Sequence, residues 1–312
     1  MRLSALTLVL CLSACGSRSG LDPDAGGPGS DGAGGDGGLA IDAPPPVPQY
    51  AELWYSVDTL LVRIVLDASN GDVVEFVPST LTGITLPPGQ SMLTMLPDGS
   101  LLAGRQDQAA DETTLFHIPA PPRDGSPAAA TSLGVMPDGI NLEGLYTDCD
   151  DRLYAMDTGV DVGSSDGNRL LRFTGNPLAS DFTFAVVSDL SMATVADIDD
   201  MSPAIVNNEI HDNPGLALDS GNLYDFNFET GTGTMAGTGG TWGVHALGKE
   251  LFTDGTARLY LLSSDAQLYR MDPATHTLSP SLGTGPTPGQ GNAGWSGLAG
   301  PLTECDSGFV IL

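Results

Sequence analysis

Residues 142–157 read Leu-Glu-Gly-Leu-Tyr-Thr-Asp-Cys-Asp-Asp-Arg-Leu-Tyr-Ala-Met-Asp. Two short apolar runs, Leu142–Thr147 and Arg152–Asp157, flank an aspartate-rich turn, which is the pattern of adjacent strands joined by a tight reversal. The phrase returns along the chain. Ser132-Leu133-Gly134 leads to Glu143-Gly144-Leu145 and then Cys149-Asp150. Much later, Ser281-Leu282-Gly283 leads to Ser296-Gly297-Leu298 and then Cys305-Asp306. Leu-Tyr recurs at 153–154, 223–224 and 268–269. From Tyr50 onward no long stretch has helical periodicity, so the repeated unit is built from strands.

Working outward from that stretch, the unit lays out as four strands. One copy takes Met92–Leu96, Ser100–Gly104, Thr114–Ile118 and Ser132–Met136. The next takes Leu142–Thr147, Arg152–Asp157, Arg169–Phe173 and Phe182–Val187. A less regular third takes Thr194–Asp199, Gly215–Leu218, Asn222–Phe228 and Thr230–Gly237. A fourth takes Val244–Leu251, Arg258–Ser263, Gln267–Met271 and Thr277–Leu282. Two half-units remain: a hairpin, Leu60–Leu66 with Asp72–Val77, and a C-terminal pair, Trp295–Gly300 with Gly308–Leu312. Joining them in one sheet closes a ring and removes the unpaired inner edge. Third strands near 62, 116, 171, 225 and 269 predict five blades, or six or seven if Met201–Asn213 hides another strand pair.

The expectation is an all-β fold, a β-propeller over residues 50–312 whose N- and C-terminal strands share one blade. A pair of β-sandwiches is the alternative. The Gly-Leu…Leu-Tyr…Asp rhythm is similar to NHL-type and SMP-30-type propeller blades, over residues 52–312. The fold hosts many unrelated activities, so this resemblance implies architecture rather than function.

The first 49 residues read differently. Met1-Arg2 precedes a short apolar run, Leu3 to Ala14, too short to span a bilayer and shaped like an export signal. Leu12-Ser13-Ala14-Cys15 resembles the lipobox of bacterial lipoproteins. That resemblance implies removal of residues 1–14 and lipidation of Cys15. Gly16, where an Asp would favour inner-membrane retention, further implies the outer membrane. An ordinary secretory signal with a chance Cys is the other reading. Residues 16–49 are rich in Gly, Ser, Asp and Ala, close on Pro44-Pro45-Pro46-Val47-Pro48, and predict a disordered tether. Gly27-Pro28-Gly29-Ser30-Asp31-Gly32 matches a dinucleotide fingerprint but has neither the strand before it nor the helix after it that binding requires.

Charge narrows the partners. The 312 residues carry 39 acidic and 11 basic side chains, a formal net charge of −28, with Lys249 the only lysine. A nucleic-acid-backbone binder needs the opposite balance. The expected partners are the membrane, through the lipid anchor, and a protein, glycan or small molecule.

In a propeller the D–A and B–C loops gather on one face and the A–B loops on the other. The first face is predicted to hold Gln90, Arg105, Asp107, Glu143, Trp242, His245 and Trp295. Glu143, before Gly144 at the mouth of an inner strand, resembles the carboxylate that SMP-30-like lactonases use to hold a divalent cation. Asn213-Pro214-Gly215 is similar to their Asn-Gly ligand strand, although the Pro departs from the pattern. That resemblance implies Ca²⁺ or another divalent cation and a hydrolase. The plainer reading has Glu143 bonding backbone N–H groups, since one carboxylate is not a cation site. Trp242 and Trp295 offer flat faces to a ligand, or plug the core.

The second face is predicted to be acidic, with Asp98, Asp148, Asp150, Asp151, Asp199, Asp200, Asp212, Asp254 and Asp306. None of these runs fits an EF-hand loop, and Asp is a favoured turn residue. Gly163-Ser164-Ser165-Asp166-Gly167 lacks the strand–helix setting of a nucleophile elbow, and the four histidines show no metal-ligand spacing. Cys149 and Cys305 are candidates for a disulfide in an exported protein, provided both loops fold over the axis. No complete catalytic constellation is legible. The sequence therefore favours a non-catalytic binding or scaffold module, with the metal-dependent hydrolase or lactonase as alternative.

Overall fold

The computed structural model describes residues 50–85, 89–107, 110, 112–137, 140–157, 169–189, 198–206, 209–219, 222–238, 245–251, 257–287 and 297–300. Every strand among them belongs to one of five four-stranded sheets. Blade 1 holds β1 (Tyr50–Val57), β2 (Leu60–Asp67) and β3 (Val73–Thr82). Blade 2 follows with β4 (Ser91–Met95), β5 (Leu101–Asp107) and β6 (Glu112–Ile118). The two-residue β7 (Ala128–Ala129) pairs in parallel with β3 of blade 1, and β8 (Thr131–Val135) then completes blade 2. Blade 3 is β9 (Leu142–Thr147), β10 (Leu153–Asp157), β11 (Arg169–Phe173) and β12 (Phe184–Asp189). Blade 4 is β13 (Asp200–Val206), β14 (Glu209–Asp219), β15 (Asn222–Asn227) and β16 (Thr232–Thr238). Blade 5 is β17 (His245–Leu251), β18 (Ala257–Ser263), β19 (Gln267–Met271) and β20 (Gly283–Thr284).

Burial grades outward through each sheet, as it must when blades pack face to face around an axis. In blade 3 the first two strands, β9 and β10, are buried at every position. The third, β11, mixes buried and half-buried positions, and β12 has no buried residue. Strands buried on both faces read as continuous apolar runs, whereas the outermost can be polar.

The side chains sort into five separate cores, and each lies between two neighbouring blades. Leu53, Tyr55 and Ile64 of blade 1 meet Tyr260 and Leu268 of blade 5. The opposite side of blade 1, with Trp54 and Leu61, meets Leu93, Ala103 and Phe116 of blade 2. Met92 and Leu115 continue to Leu145 and Leu171 of blade 3. Tyr146 and Tyr154 continue to Phe226 and Phe228 of blade 4, and Leu216 and Leu218 to Leu259 and Leu261 of blade 5. Five sheets with five interfaces form a closed ring; an open stack of five would have four. The protein is a five-bladed β-propeller. The third-strand positions inferred from the repeat all fall inside β2, β6, β11, β15 and β19.

Closure differs from the sequence expectation in one strand. The innermost position of blade 1 is taken by the C-terminal segment: Trp54 N–H donates to Ala299 O at 2.7 Å and Ala299 N–H to Trp54 O at 2.8 Å. The termini thus share one blade, as predicted. The second strand, however, is β1 rather than Gly308–Leu312, which lies outside the described residues. Two observations give β1 that place. Seven of its eight residues are buried where burial is described, like the second strands β5 and β10. Its C-terminal end also meets the C-terminal end of β5, where the Arg105 guanidinium donates to Asp58 O at 2.5 Å. The N-terminal stretch therefore supplies three strands and the C-terminal stretch one.

Blade 4 carries the other correction. Its first strand is Asp200–Val206, not Thr194–Asp199, which shifts Asp199 and Asp200 from the end of a strand to its beginning. Pro203 discourages a strand reading, but it sits at a register shift between Ser202 and Ala204, where the missing N–H costs no ladder bond. The residues 201–213 thus hold the first strand and half of the second strand of blade 4, not a further blade.

Gly297 lies so close to β4 that a Cβ there would stand 2.5 Å from Leu93 N and 2.6 Å from Leu93 O. Gly297→Ala is therefore expected to push the C-terminal segment off its seat and cost about 1–3 kcal/mol, read from urea unfolding. Unchanged stability would contradict the placement of this segment.

Candidate functional site

The upper face, where D–A and B–C loops gather, concentrates buried polar side chains at the starts of inner strands and the ends of second strands. Gln90 and Ser91 introduce β4, Arg105 and Gln106 end β5, Asn141 and Glu143 open β9, Asp157 ends β10, and Asp199 and Asp200 open β13; all are buried. The axis draws these positions together. Gly144, next to Glu143, has so little room that a Cβ would lie 3.3 Å from Asp199 O and 3.6 Å from Asp200 Cα. The Glu143 stretch and the Asp199–Asp200 stretch are thus immediate neighbours. This corrects the expected assignment of Asp199 and Asp200 to the opposite face, and follows directly from the later start of β13.

Much of this polar layer is fixed by its own bonds. Thr113 Oγ1 donates to Asn141 Oδ1 at 3.0 Å and accepts from Leu142 N–H at 2.8 Å. Asp157 accepts from Asn141 N–H at 3.0 Å and from Arg169 Nε at 2.7 Å, and it also ion-pairs with Arg169 Nη2. Blades 2 and 3 are stitched together at the rim of the mouth by these links. Arg105 is different. Its guanidinium is 1% exposed and donates to two backbone carbonyls, Asp58 O at 2.5 Å and Gly89 O at 3.3 Å. Nε has no hydrogen-bond partner. Burial pushes its pKa down to about 10, against a partial opposing pull from Asp58. The side chain ties the β1–β2 turn of blade 1 to the entry of blade 2.

The other candidates are distributed as follows. His245 opens β17, with its backbone opposite Ser263. Asn213 lies in the half of β14 nearer the lower face, and its Oδ1 accepts Phe228 N–H at 2.8 Å. The structure does not bring Asn213 to Glu143. Trp242, Trp295, Cys15 and Cys305 lie outside the described residues. Cys149 is disulfide-bonded. Among the described residues no group of three or more His, Cys, Asp or Glu side chains is arranged to hold a metal ion. Among the described residues the SMP-30-like pair, Glu143 and Asn213, is therefore not brought together as a cation site.

The lower face is acidic for a local reason. Four turns repeat Asp-x-Ser/Thr: Asp67–Ser69, Asp98–Ser100, Asp124–Ser126 and Asp181–Thr183. In each, the carboxylate accepts the backbone N–H two residues on, at 2.8–3.1 Å. Side-chain hydroxyls of Ser69, Ser100 and Thr183 add a second bond at 2.5–2.6 Å. These bonds hold all four carboxyls below their ordinary pKa, the side-chain hydroxyl being the largest cause. Asp148 does the same work in the β9–β10 turn, accepting Asp150 N–H at 3.0 Å, Arg152 N–H at 2.7 Å and Arg152 Nε at 2.6 Å. These five carboxylates are turn-formers first.

No family model matches the chain, and no curated protein matches it. Solved structures resemble it in part. A chain of a nidogen/laminin complex aligns with a TM-score of 0.46 at 10% identity, over 82% of this chain and 100% of its own. A protein of unknown function from Bacteroides thetaiotaomicron aligns at 0.40 and 11% identity, over 74% and 57% of the two chains. One from Bacteroides caccae aligns at 0.35 and 11%, over 74% and 72%. At these levels the propeller assignment rests on the five sheets and five cores of this chain itself.

Two outcomes follow. Asp157→Ala strips Arg169 and Asn141 N–H of their acceptor and is expected to cost about 3 kcal/mol, measured by chemical denaturation; a loss under about 0.5 kcal/mol would show that the rim network is not structural. The turn carboxyls have folded pKa values below their unfolded ones, so their stabilisation is complete above the unfolded values, near 4, and is lost as pH falls through the folded ones. At 0.15 M salt the melting temperature should hold from pH 7 to about 5 and then decline toward pH 3. A melting temperature that rises on acidification would mean that relief of the net negative charge outweighs these turns.

Proposed function

We propose that this chain is a cell-envelope lipoprotein, anchored through Cys15 and tethered by residues 16–49, that presents its propeller as a non-catalytic binding or scaffold module. The outer membrane is the proposed location. The upper face is the proposed contact surface, and a protein, glycan or small molecule is the proposed partner. One observation carries this reading. Polar side chains are gathered at the inner-strand starts of one face, whereas Asp67, Asp98, Asp124, Asp148 and Asp181 of the other are committed to their own turns. Thr113, Asn141, Asp157 and Arg169 fix the rim where blades 2 and 3 meet, and a pre-formed surface favours recognition. The lipobox resemblance supports the anchor, and several acyl chains give stable membrane attachment where one is marginal.

The hydrolase reading requires a cation at Glu143, and the placement of Asn213 beside Phe228 weighs against it. Two measurements test the proposal. Cells fed labelled palmitate should yield labelled protein in the outer-membrane fraction, and Cys15→Ser should abolish the label; equal labelling of the variant would remove the anchor from the account. Millimolar Ca²⁺ should leave the melting temperature of the purified protein within 1 °C. A stoichiometric bound metal, with ester hydrolysis lost in Glu143→Gln, would replace the binding module by the hydrolase.

A further inference from the structure

We propose that Asn70 is a site of spontaneous deamidation and backbone isomerisation, and that this change loosens the seam between blades 5 and 1. Asn70-Gly71 is the sole Asn-Gly pair in the 312 residues. Glycine in second place leaves the backbone nitrogen unshielded by a Cβ, so its approach to the asparagine amide is least hindered there. Asn70 is exposed in the turn between β2 and β3, and Gly71 has φ +76°.

The position of the pair gives the chemistry a consequence. Three successive carbonyl oxygens of this turn are gripped by side chains of blade 5. Arg258 Nη2 donates to Ser69 O at 3.3 Å, Arg270 Nη1 to Asn70 O at 2.5 Å, and the buried Tyr260 hydroxyl to Gly71 O at 2.9 Å. Arg270 Nη2 also stands 3.5 Å from Asp72 Oδ1. The turn is braced from within: Asp67 Oδ1 accepts Ser69 N–H at 2.8 Å, and Asn70 Oδ1 accepts Asp72 N–H at 2.9 Å. The nucleophile, Gly71 N, spends its own hydrogen on Asp67 O at 2.7 Å. While blade 5 holds the turn, that nitrogen is occupied. Local opening of the turn releases it, so grip and reaction rate are coupled.

The reaction needs only water. Gly71 N gives up its proton and attacks Asn70 Cγ. The new N–C bond closes a succinimide, the Cγ–Nδ2 bond breaks, and ammonia departs with the proton. Water then opens the ring. Addition at Cγ gives aspartate; addition at the main-chain carbonyl carbon of residue 70 gives isoaspartate, whose chain runs on through Cβ and Cγ. The longer main chain of isoaspartate no longer presents the three carbonyls at the spacing that Arg258, Arg270 and Tyr260 meet. Neither the lipid anchor nor the upper face takes part.

The test is a prolonged incubation of the purified full chain at mildly alkaline pH, with peptide mapping at intervals. The peptide carrying Asn70 should convert to aspartate and isoaspartate forms ahead of every other asparagine peptide. Arg270→Ala should quicken the conversion about fivefold, the factor carried by about 1 kcal/mol of lost grip. Protein shown by mapping to carry isoaspartate at 70, separated on charge, should melt about 5 °C below the starting material. Asn70→Ser keeps an oxygen for Asp72 N–H but has no amide to lose, and should hold its melting temperature through the same incubation. If Arg270→Ala does not fold, Tyr260→Phe removes a single hydroxyl from the same grip and gives the same readout. The proposal is overturned if Asn70 remains an amide throughout, if loosening the grip leaves its rate unchanged, or if the isoaspartate form melts with the starting protein.

Discussion

Two hydrogen bonds between Trp54 and Ala299, residues 245 positions apart, decide whether five sheets become one molecule. Each blade has two apolar faces and can bury both only if the last finds the first. Closure supplies the interface between blades 1 and 5, with Tyr55, Ile64, Tyr260 and Leu268 in its core and Leu298 packed among them. The same segment removes an inner edge that would otherwise present unpaired N–H and C=O groups. Tyr260 Oη, donating to Gly71 O at 2.9 Å, and Tyr55 Oη, donating to Pro286 O at 3.0 Å, tie the two blades at opposite ends of the seam.

The ring also sorts polar groups. Inner-strand starts converge on the axis, so polar residues placed there become neighbours although they are distant in sequence, as Glu143 and Asp199–Asp200 are. Five turns at the opposite end, those of Asp67, Asp98, Asp124, Asp148 and Asp181, use the aspartate on their own backbone. The described carboxylates thus include two groups with different roles: these five shape their own turns, and Glu143, Asp157, Asp199 and Asp200 lie buried in the converging polar layer.

How much of this was legible depended on whether the signal was local. The third strand of every blade is readable because it is a short apolar run flanked by recognisable turns. β1 is hidden from a local reading because Glu52 interrupts its apolar run and a proline-rich stretch precedes it. Glu52 is satisfied by Arg63 and Arg123, at 2.7 and 2.6 Å, and Arg123 comes from blade 2. No local reading of Tyr50–Val57 contains that compensation, although Trp54-Tyr55, one tight turn before a third strand, was a usable cue. Pro203 misplaced the first strand of blade 4 for a related reason: its cost is absorbed by a bulge visible only in the pairing. Glu143 could be placed because Gly144 marks the strand mouth. The structural role of Arg105 could not, since both its carbonyl partners depend on tertiary contact.

Ring closure requires the C-terminal segment to be an integral strand of blade 1. Native-state hydrogen exchange of the Trp54 and Ala299 amides measures this directly. Both should exchange only with global unfolding, at the same rate as core amides such as Leu145 and Leu261. If these two amides exchange quickly while the blade cores remain protected, the ring is not closed by this pair and the account fails.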